Sequence, residues 1–337
     1  MKKILVTGSA GFIGFHLCNL LLKQGFDVMG IDSFSDYYDV NLKKDRNNQL
    51  IKYKNFSLIK MNIENDSFLD EVSVFNPEYI VHLAAQAGVR YSLENPRAYI
   101  NTNISGTFNV MELSRICKVK HLLMASTSSV YGASTDMPFK ETTSTDAPLT
   151  IYAASKKANE SMAHSYAHLW KVPTTMFRFF TVYGPWGRPD LALFKFVNLM
   201  LQNKPIDIYN QGNMFRDFTY VDDLVHSILL LLDCKPQLTS DRESLKIKND
   251  NISKVAPFRI VNIGNSNKVK LLDFIEAIED ELSIKAIRNY LPIQKGDVPA
   301  TWANAELLKN LTGFQPNTDI KYGISKFIDW YRDYYQI

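Results

Sequence analysis

The 337-residue sequence is poor in the residues that build disulfide frameworks and metal centres, with three cysteines and six histidines. Cys18, Cys117 and Cys234 have no metal-ligand spacing, and their odd number argues against a complete set of disulfide bonds. His164 and His168 lie four residues apart, but no third ligand has a spacing that would join them. The sequence therefore predicts no metal site, and its free thiols predict a reducing, cytoplasmic location.

Long apolar runs and a strong net charge are also lacking. No segment approaches the ~20 apolar residues of a membrane-spanning helix, and glycines interrupt "MKKILVTGSAGFIG" too early for a signal peptide. The formal net charge is only +3. The basic stretch from Lys43 to Lys54 contains no dense block of charge, so we interpret it as a solvated face. We expect neither a nucleic-acid nor a membrane partner.

Short apolar segments rich in β-branched residues alternate with helical periodicity in the first half of the chain. Such alternation predicts an α/β fold with a Rossmann-type, doubly wound parallel sheet. The predicted strands are KILVTG, DVMGID, FSLIKM, YIVHLA, HLLMAS and TTMFRFF, with FRIVNIGN following much later in the chain.

The pattern of residue types changes after Phe180: the alternation of strands and helices gives way to a turn-rich loop and further helical patterns. Helices are predicted in LFKFVNLMLQNK, FTYVDDLVHSILLLLD and most of the C-terminal tail. We assign residues 1–178 to a dinucleotide-binding domain to which the chain returns around 220–264. Residues 179–337 are assigned mainly to a smaller, mixed α/β substrate domain. Residues 235–256 are polar and aperiodic, which predicts a mobile loop.

A glycine-rich loop follows the first predicted strand. Gly8, Gly11 and Gly14 form G-x-x-G-x-x-G at the opening of the first helix, and Asp32 ends the next strand, 18 residues beyond Gly14. Glycines allow a tight turn and a close approach of the backbone to a pyrophosphate, which the helix N-terminus also attracts. An acid at the second strand accepts hydrogen bonds from ribose hydroxyls and repels a 2′-phosphate. The sequence therefore predicts NAD as the cofactor.

A second pattern concerns proton transfer. Tyr152 and Lys156 are four residues apart and lie on one face of a predicted helix. A free tyrosine has a pKa of about 10, too high for a base at neutral pH, and a nearby ammonium lowers it. Upstream, "STSSVYG" places hydroxyls at four successive positions, Ser126 to Ser129, at the end of a strand.

Together these motifs resemble the extended short-chain dehydrogenase/reductase family, in its nucleotide-sugar epimerase and dehydratase group. The resemblance implies that Thr127, three residues before V-Y-G, acts with Tyr152 and Lys156 on a sugar 4-hydroxyl. Family members that dehydrate a 4-keto sugar resemble "STDEVYG", and the related decarboxylases resemble "STSEVYG". This sequence has Ser128 and Ser129 at those positions. Without an acid there, the resemblance favours epimerisation at carbon 4 through a transient 4-keto sugar.

Several segments resemble the UDP-glucuronate 4-epimerases in particular, among them "HLAAQAGVRYSLENPRAYINTNISGTFNV", "RFFTVYGPWGRPD" and "QKGDVPATWAN". A glucuronate carboxylate needs hydrogen-bond donors or a cation. The hydroxyls of Thr127, Ser128, Ser129 and Thr181 are candidate donors, and Arg90 or Arg188 is a candidate cation. The resemblance further implies Arg216 as a contact of the UDP pyrophosphate and Asp297 as a neighbour of the uridine ribose.

The resemblance also implies a set of cofactor contacts, and Asn62 departs from the aspartate usual at its position. Besides the glycines, Asp32, Tyr152 and Lys156, the implied set consists of Phe12, Ile13, Asn62, Ile63, Leu83, Ala84, Ala85, Gln86, Asn103, Ser126 and Phe179.

Alternatives remain at this stage. Thr301 stands where some epimerases carry a bulky gatekeeper, so a UDP-glucose or UDP-N-acetylglucosamine 4-epimerase is the second hypothesis. A non-catalytic NAD-binding sensor is a third, and the joint presence of Tyr152, Lys156 and Thr127 argues against it. The family resemblance further implies a homodimer formed by helices near residues 97–117 and 152–170.

Overall fold

The computed structural model describes residues 1–238 and 247–337. Its strands are β1 (Lys3–Thr7), β2 (Asp27–Asp32), β3 (Phe56–Lys60), β4 (Tyr79–His82), β5 (His121–Ala125), β6 (Thr174–Phe179), β7 (Thr181–Tyr183), β8 (Ile206–Tyr209), β9 (Phe215–Arg216), β10 (Phe218–Tyr220), β11 (Phe258–Ile263), β12 (Val269–Lys270), β13 (Arg288–Leu291) and β14 (Ala300–Thr301). Its α-helices are α1 (Phe12–Lys23), α2 (Val40–Leu50), α3 (Phe68–Ser73), α4 (Tyr91–Glu94), α5 (Pro96–Tyr99), α6 (Thr107–Ile116), α7 (Ile151–Trp170), α8 (Ala192–Leu201), α9 (Val221–Leu231), α10 (Leu271–Leu282), α11 (Glu306–Thr312) and α12 (Ile320–Tyr335). A π-helical segment, Ile100–Gly106, joins α5 to α6.

Seven parallel strands form the central sheet, in the order β11-β6-β5-β4-β1-β2-β3. These are the seven strands that the apolar segments predict, so the doubly wound fold class is confirmed. One apolar cluster joins the sheet to α1, α9 and α11, and a second joins it to α3, α6 and α7. Strands covered on both faces explain why β1, β4 and β5 read as continuous apolar runs rather than alternating ones.

The chain returns to this sheet late. Strand β11 pairs with β6 along its full length, and α9 packs beside α1. A third apolar cluster, formed mainly by α8, α10 and α12 around β8 and β10, makes up most of the remaining C-terminal half. The domain boundaries themselves stay a prediction. Of the predicted loop at 235–256, residues 239–246 lie outside the described chain, and the rest of it contains no helix or strand.

Helix α2 corrects the interpretation of the basic stretch at 43–54 as a solvated face. Lys43 is 5% exposed and Arg46 is 0% exposed, whereas Lys44 between them is exposed. Leu42 and Leu50 share the buried face of this helix, and Arg46 lies midway between them. The interpretation was wrong for Lys43 and Arg46, although Lys44, Lys52 and Lys54 are exposed as it predicts. Charge alone does not decide which face of a helix is buried, because both buried cations find acceptors inside the protein.

A buried ion pair fixes the longest helix to the sheet. Arg178 on β6 donates from Nε to Glu160 Oε1 (2.9 Å) and from Nη2 to Oε2 (2.8 Å), and both side chains are almost fully buried. Ser126, just beyond β5, donates to the same carboxylate at 2.6 Å. Because Glu160 belongs to α7, these bonds hold that helix in register with the ends of two central strands.

We therefore expect Glu160→Gln to lower the free energy of unfolding by about 3 kcal/mol, since it leaves the buried Arg178 charge without a counterion. Urea denaturation measures the change. Asp329→Asn is the control, because Asp329 pairs with Lys326 at a largely exposed site and such pairs contribute little. Equal midpoints for the two variants would contradict the interpretation.

Candidate active site

A cavity of about 1080 Å³ opens at the carboxyl ends of the central strands, where β1, β2, β4, β5 and β6 meet the C-terminal half. Ligands of doubly wound folds bind at this edge of the sheet. All but one of the residues predicted from the sequence line it. They are Gly8, Gly11, Phe12, Ile13, Gly14, Asp32, Asn62, Ile63, Leu83, Ala84, Ala85, Gln86, Arg90, Ser126, Thr127, Ser128, Ser129, Tyr152, Lys156, Phe179, Thr181, Arg188, Arg216 and Asp297.

Asn103 is the exception, because it lies behind the cavity wall. Its side-chain oxygen accepts from Gln86 N (2.8 Å), and its amide nitrogen donates to Gln86 O (3.1 Å) and to Ser155 Oγ (3.0 Å). Asn103 therefore fixes the backbone of a lining residue and ties it to α7.

Two glycines of the loop, Gly8 and Gly14, have no room for a side chain. Gly8 has φ +74°, and a Cβ atom there would lie 2.9 Å from Ala84 N. A Cβ atom on Gly14 would lie 2.0 Å from the Gly8 carbonyl oxygen, so any other residue would disrupt the turn. Within the described chain no side chain caps the N-terminus of α1, which leaves its first N–H groups for an anion.

Asp32 is held at the end of β2 by two backbone donors. Its Oδ2 accepts from Ala10 N (3.0 Å) and its Oδ1 from Phe34 N (2.8 Å). Each carboxylate oxygen can accept a further bond, so Asp32 can still bind a pair of hydroxyl groups. Fixed carboxylate, tight glycine turn and free helix N-terminus together form the cradle that a dinucleotide requires.

Tyr152 and Lys156 lie in the first two turns of α7. Thr150 caps this helix, since its hydroxyl accepts from Ala153 N at 3.2 Å. Lys156 Nζ donates to the carbonyl of Ala125 at the end of β5 (2.9 Å). Burial lowers the pKa of Lys156 to about 8, and the Glu160 carboxylate opposes that shift. Burial raises the pKa of Tyr152, and a hydrogen bond with Thr127 opposes it.

The run of hydroxyls enters the cavity through a short 3₁₀ turn, Ser128–Tyr131, directly after β5. Thr127 begins this turn: its Oγ1 accepts from Ser129 N (3.2 Å) and donates to Ser129 Oγ (3.3 Å). Gly132 ends it at φ +52°, where a Cβ atom would lie 1.9 Å from Ala147 O. Three successive hydroxyl-bearing residues, Thr127 to Ser129, therefore line the cavity with no carboxylate among them, and Thr127 forms a hydrogen bond with Tyr152.

Arg188 reaches the cavity from the loop after β7. Its guanidinium forms a two-point ion pair with Asp190, whose pKa it holds below the usual range against the effect of burial. Tyr37 also donates to Asp190 (3.4 Å). The cation is thus held in place by a carboxylate on one side and faces the cavity on the other.

Arg90 also lines the cavity: its Nη2 lies 3.3 Å from Asp297 Oδ2, and its guanidinium stacks on the Tyr209 ring at 4.6 Å. Arg216 Nη1 donates to the carbonyls of Phe215 (2.8 Å) and Pro299 (3.3 Å). Burial lowers the pKa of Arg216, and the charge of Asp297 opposes the shift. Two arginines and a carboxylate therefore lie far along the chain from Tyr152 but in the same cavity.

Sequence reasoning missed Lys43, Tyr37 and Tyr38, which also line the cavity. Lys43 Nζ donates to Ser35 O (2.7 Å) and lies 4.4 Å from the centre of the Tyr38 ring. A usable signal existed in α2, where Leu42 and Leu50 mark the buried face on which Lys43 borders the cavity.

No cluster of three or more potential metal ligands occurs in the described ranges, 1–238 and 247–337. His164 and His168, the pair considered as metal ligands, instead bond to Ser253 Oγ and Val255 O at 2.8 Å each. No helix in those ranges has the length and apolarity to cross a membrane.

Comparison with known proteins agrees with this geometry. Residues 4–242 match the NAD dependent epimerase/dehydratase family. The chain is 50% identical over 335 residues to a probable UDP-glucuronate 4-epimerase from Rhizobium meliloti (strain 1021), covering 99% of this chain and 98% of the relative. It is 51% identical to protein CapI from Staphylococcus aureus, covering 99% of each.

A solved structure is similar over the whole chain: the UDP-glucuronic acid 4-epimerase from Bacillus cereus in complex with UDP-glucuronic acid and NAD. It superimposes with a TM-score of 0.87 at 31% identity, covering 99% of this chain and 100% of that one. With the family match extending over more than two thirds of the sequence, this chain belongs to the NAD dependent epimerase/dehydratase family.

Proposed function

We propose that this protein is an NAD-dependent 4-epimerase that interconverts UDP-glucuronate and UDP-galacturonate through a transient 4-keto sugar. The observation that carries the proposal is the joint presence, in one cavity, of Tyr152, Lys156 and the Thr127–Ser129 hydroxyls with the Arg188 cation. Relatives and a solved structure named for this activity, similar over the whole chain, support it.

The proposed cofactor site is the cradle of Gly8, Gly11, Gly14 and Asp32. Bound there, NAD supplies hydride acceptance and return at carbon 4 of the sugar. In our proposal the N-terminus of α1 binds the pyrophosphate, and Asp32 accepts hydrogen bonds from ribose hydroxyls. The remaining cofactor contacts proposed from the sequence form the walls around this cradle.

Tyr152 is the proposed base that removes the proton from the sugar 4-hydroxyl and later returns it. A free phenol is already protonated at neutral pH, and burial raises the pKa of Tyr152 further, so positive charge must support the phenolate during the reaction. Lys156, one helical turn away on α7, is the cation proposed for that role, and the charge of Arg188 also lowers the pKa of Tyr152. Thr127, at the start of the turn after β5, forms a hydrogen bond with Tyr152 and is proposed to support the contact between the sugar hydroxyl and the phenol.

The proposed sugar-acid site consists of Thr127, Ser128, Ser129, Thr181 and Arg188. Oxidation at carbon 4 makes the glucuronate a β-keto acid, which can lose carbon dioxide when the breaking bond aligns with the ketone. Hydroxyl donors and one guanidinium can hold the carboxylate away from that alignment without offering a base. Arg216 is the proposed pyrophosphate contact of the UDP moiety, with Asp297 and Arg90 nearer the uridine.

A UDP-glucose or UDP-N-acetylglucosamine 4-epimerase is the second candidate. Thr301 lines the cavity and is small, so it leaves room for a substituent on carbon 2 of the sugar. The Arg188 cation argues for the sugar acid over this alternative.

We also propose a homodimer. Several apolar side chains on α6, α7 and the π-helical segment before them are about half exposed, an arrangement typical of interfaces. They are Ile100, Phe108, Ile116, Leu169 and Trp170. The free thiols of the chain support a cytoplasmic location.

Purified protein incubated with UDP-glucuronate and no added NAD is expected to form UDP-galacturonate. The reason is that each cycle returns NAD to its starting state, so the cofactor that stays bound to the protein suffices. Chromatography of the sugar nucleotides measures it. Tyr152→Phe is expected to lower turnover by at least ~10²-fold and to retain bound NAD. Conversion of UDP-glucose alone would favour the second candidate, and a pentose nucleotide as main product would contradict the role of Ser129.

Arg188→Met is expected to weaken binding of UDP-glucuronate about 10-fold or more and to leave UDP-glucose almost unaffected, because only the first carries the carboxylate. Titration calorimetry measures both dissociation constants. The double variant Arg188→Met/Asp190→Asn is the control for the carboxylate that the first variant leaves unpaired. If the double variant weakened the binding of UDP-glucuronate and UDP-glucose equally, selective recognition of the carboxylate by Arg188 would be ruled out.

Replacing Phe108 and Leu169 by lysine is expected to convert a dimer into monomers, since charge would be buried in the interface. Sedimentation velocity measures the mass. Val74→Lys is the control, because Val74 is 83% exposed just after α3 and is not one of the side chains proposed for the interface. A monomeric wild-type protein would refute the dimer.

A further inference from the structure

Arg46 and Arg178 are the two largest fully buried side chains in the described chain. Arg178 has the carboxylate of Glu160 as a counterion. Within residues 1–238 and 247–337, Arg46 has no carboxylate at ion-pair distance. A buried cation without a counterion is costly, so its position requires a compensating set of hydrogen bonds.

Those bonds go to oxygens from three parts of the chain. Arg46 Nη1 donates to the carbonyl of Ala10 (3.0 Å) and to the hydroxyl of Tyr38 (2.7 Å). Its Nη2 donates to the carbonyls of Trp186 (2.6 Å) and Gly187 (3.3 Å). The two terminal nitrogens of one guanidinium therefore carry four bonds, whereas its Nε has no partner in the described residues.

Three of the four partners are backbone carbonyls in the two loops that matter most to the site. Ala10 lies inside the glycine loop, between Gly8 and Gly11. Trp186 and Gly187 are the two residues immediately before Arg188. A single planar group thus joins the backbone of the dinucleotide loop to the backbone that carries the cavity cation.

The second loop needs such support. Trp186 has φ +59°, a conformation that non-glycine residues rarely adopt, and it is retained only when surrounding contacts over-determine it. Its ring packs against Phe15 on α1 and against Trp330 and Tyr334 on α12. Those ring contacts fix the Trp186 side chain, and Arg46 fixes the backbone carbonyls of Trp186 and Gly187.

We propose that Arg46 is a positioning residue that sets the place of Arg188 relative to the glycine loop, and so couples recognition of the sugar carboxylate to the cofactor loop. This inference rests on the proposed function for its substrate. Lysine cannot replace the fork of donors, because an ammonium is a point charge that does not span two separated loops. Methionine fills the volume and leaves all four oxygens without this donor.

A purely structural role of Arg46 predicts a different effect on ligand binding. If Arg46 only stabilised the fold, its loss would weaken the binding of every ligand to a similar degree. If it positions Arg188, its loss affects UDP-glucuronate far more than UDP-glucose, since only the glucuronate carboxylate depends on where Arg188 stands.

The test uses the full chain with its bound NAD, in the wild type, Arg46→Met and Arg46→Lys, with Lys44→Met on the exposed face of α2 as the control. Titration calorimetry gives the dissociation constants of UDP-glucuronate and UDP-glucose. Hydrogen–deuterium exchange measures protection in residues 8–14 and 184–190. Arg46→Lys keeps the charge, so it serves should Arg46→Met not fold.

We expect the preference for UDP-glucuronate over UDP-glucose to fall at least 10-fold in both Arg46 variants and less than 2-fold in Lys44→Met. Exchange should rise in 8–14 and 184–190 together. An unchanged preference in variants that fold, or faster exchange in one loop only, would overturn the inference. A wild type without preference would refute the proposed substrate, and the paired exchange response would still decide whether Arg46 joins the loops.

Discussion

The ion pair between Glu160 and Arg178 is the interaction on which the geometry of the catalytic end depends. Glu160 lies one turn beyond Lys156 on the same helix, and its carboxylate also accepts from Ser126 at the start of the hydroxyl run. One buried carboxylate therefore fixes a helix, a strand end and a turn relative to one another. It also offsets part of the cost of burying the Lys156 ammonium, whose pKa burial lowers to about 8.

The site is built from fixed backbone as much as from side chains. Asp32 is held by two backbone N–H groups, Lys156 by a backbone carbonyl and Arg46 by three of them. Such partners cannot change rotamer or protonation state. The charged groups around the cavity are therefore pre-organised, which is the condition under which electrostatic interactions act strongly on a reacting sugar.

Much of the fold could be predicted because the determining signal is local. Each of the seven central strands is a short apolar run, and the glycine loop, Asp32, Tyr152 and Lys156 follow spacings that the backbone imposes. The segment FTYVDDLVHSILLLLD shows the limit: its first three residues form β10 and the helix begins at Val221. The two-residue strands β9, β12 and β14 leave no periodicity to detect, because neighbouring backbone alone determines their pairing.

The polar residues, too, could be predicted only where the sequence carries a local signal for their role. Asn103 carries no local mark that tells a lining residue from one that braces the wall behind it. Lys43 and Arg46 look like surface charge because their acceptors are oxygens, mostly backbone carbonyls, brought close by the fold. Acceptors on the backbone leave no trace in residue type, so sequence reasoning recovers the cavity wall better than its supports.

The late return of the chain has a consequence for biosynthesis. Strand β6 is complete at Phe179, but β11, which pairs with its outer side, begins only at Phe258. During translation the ribosome must add about eighty more residues before that edge is covered. A nascent chain released in this interval would expose a fully buried strand as an open template for another molecule. Premature termination anywhere in this stretch should therefore yield aggregates rather than a smaller folded domain.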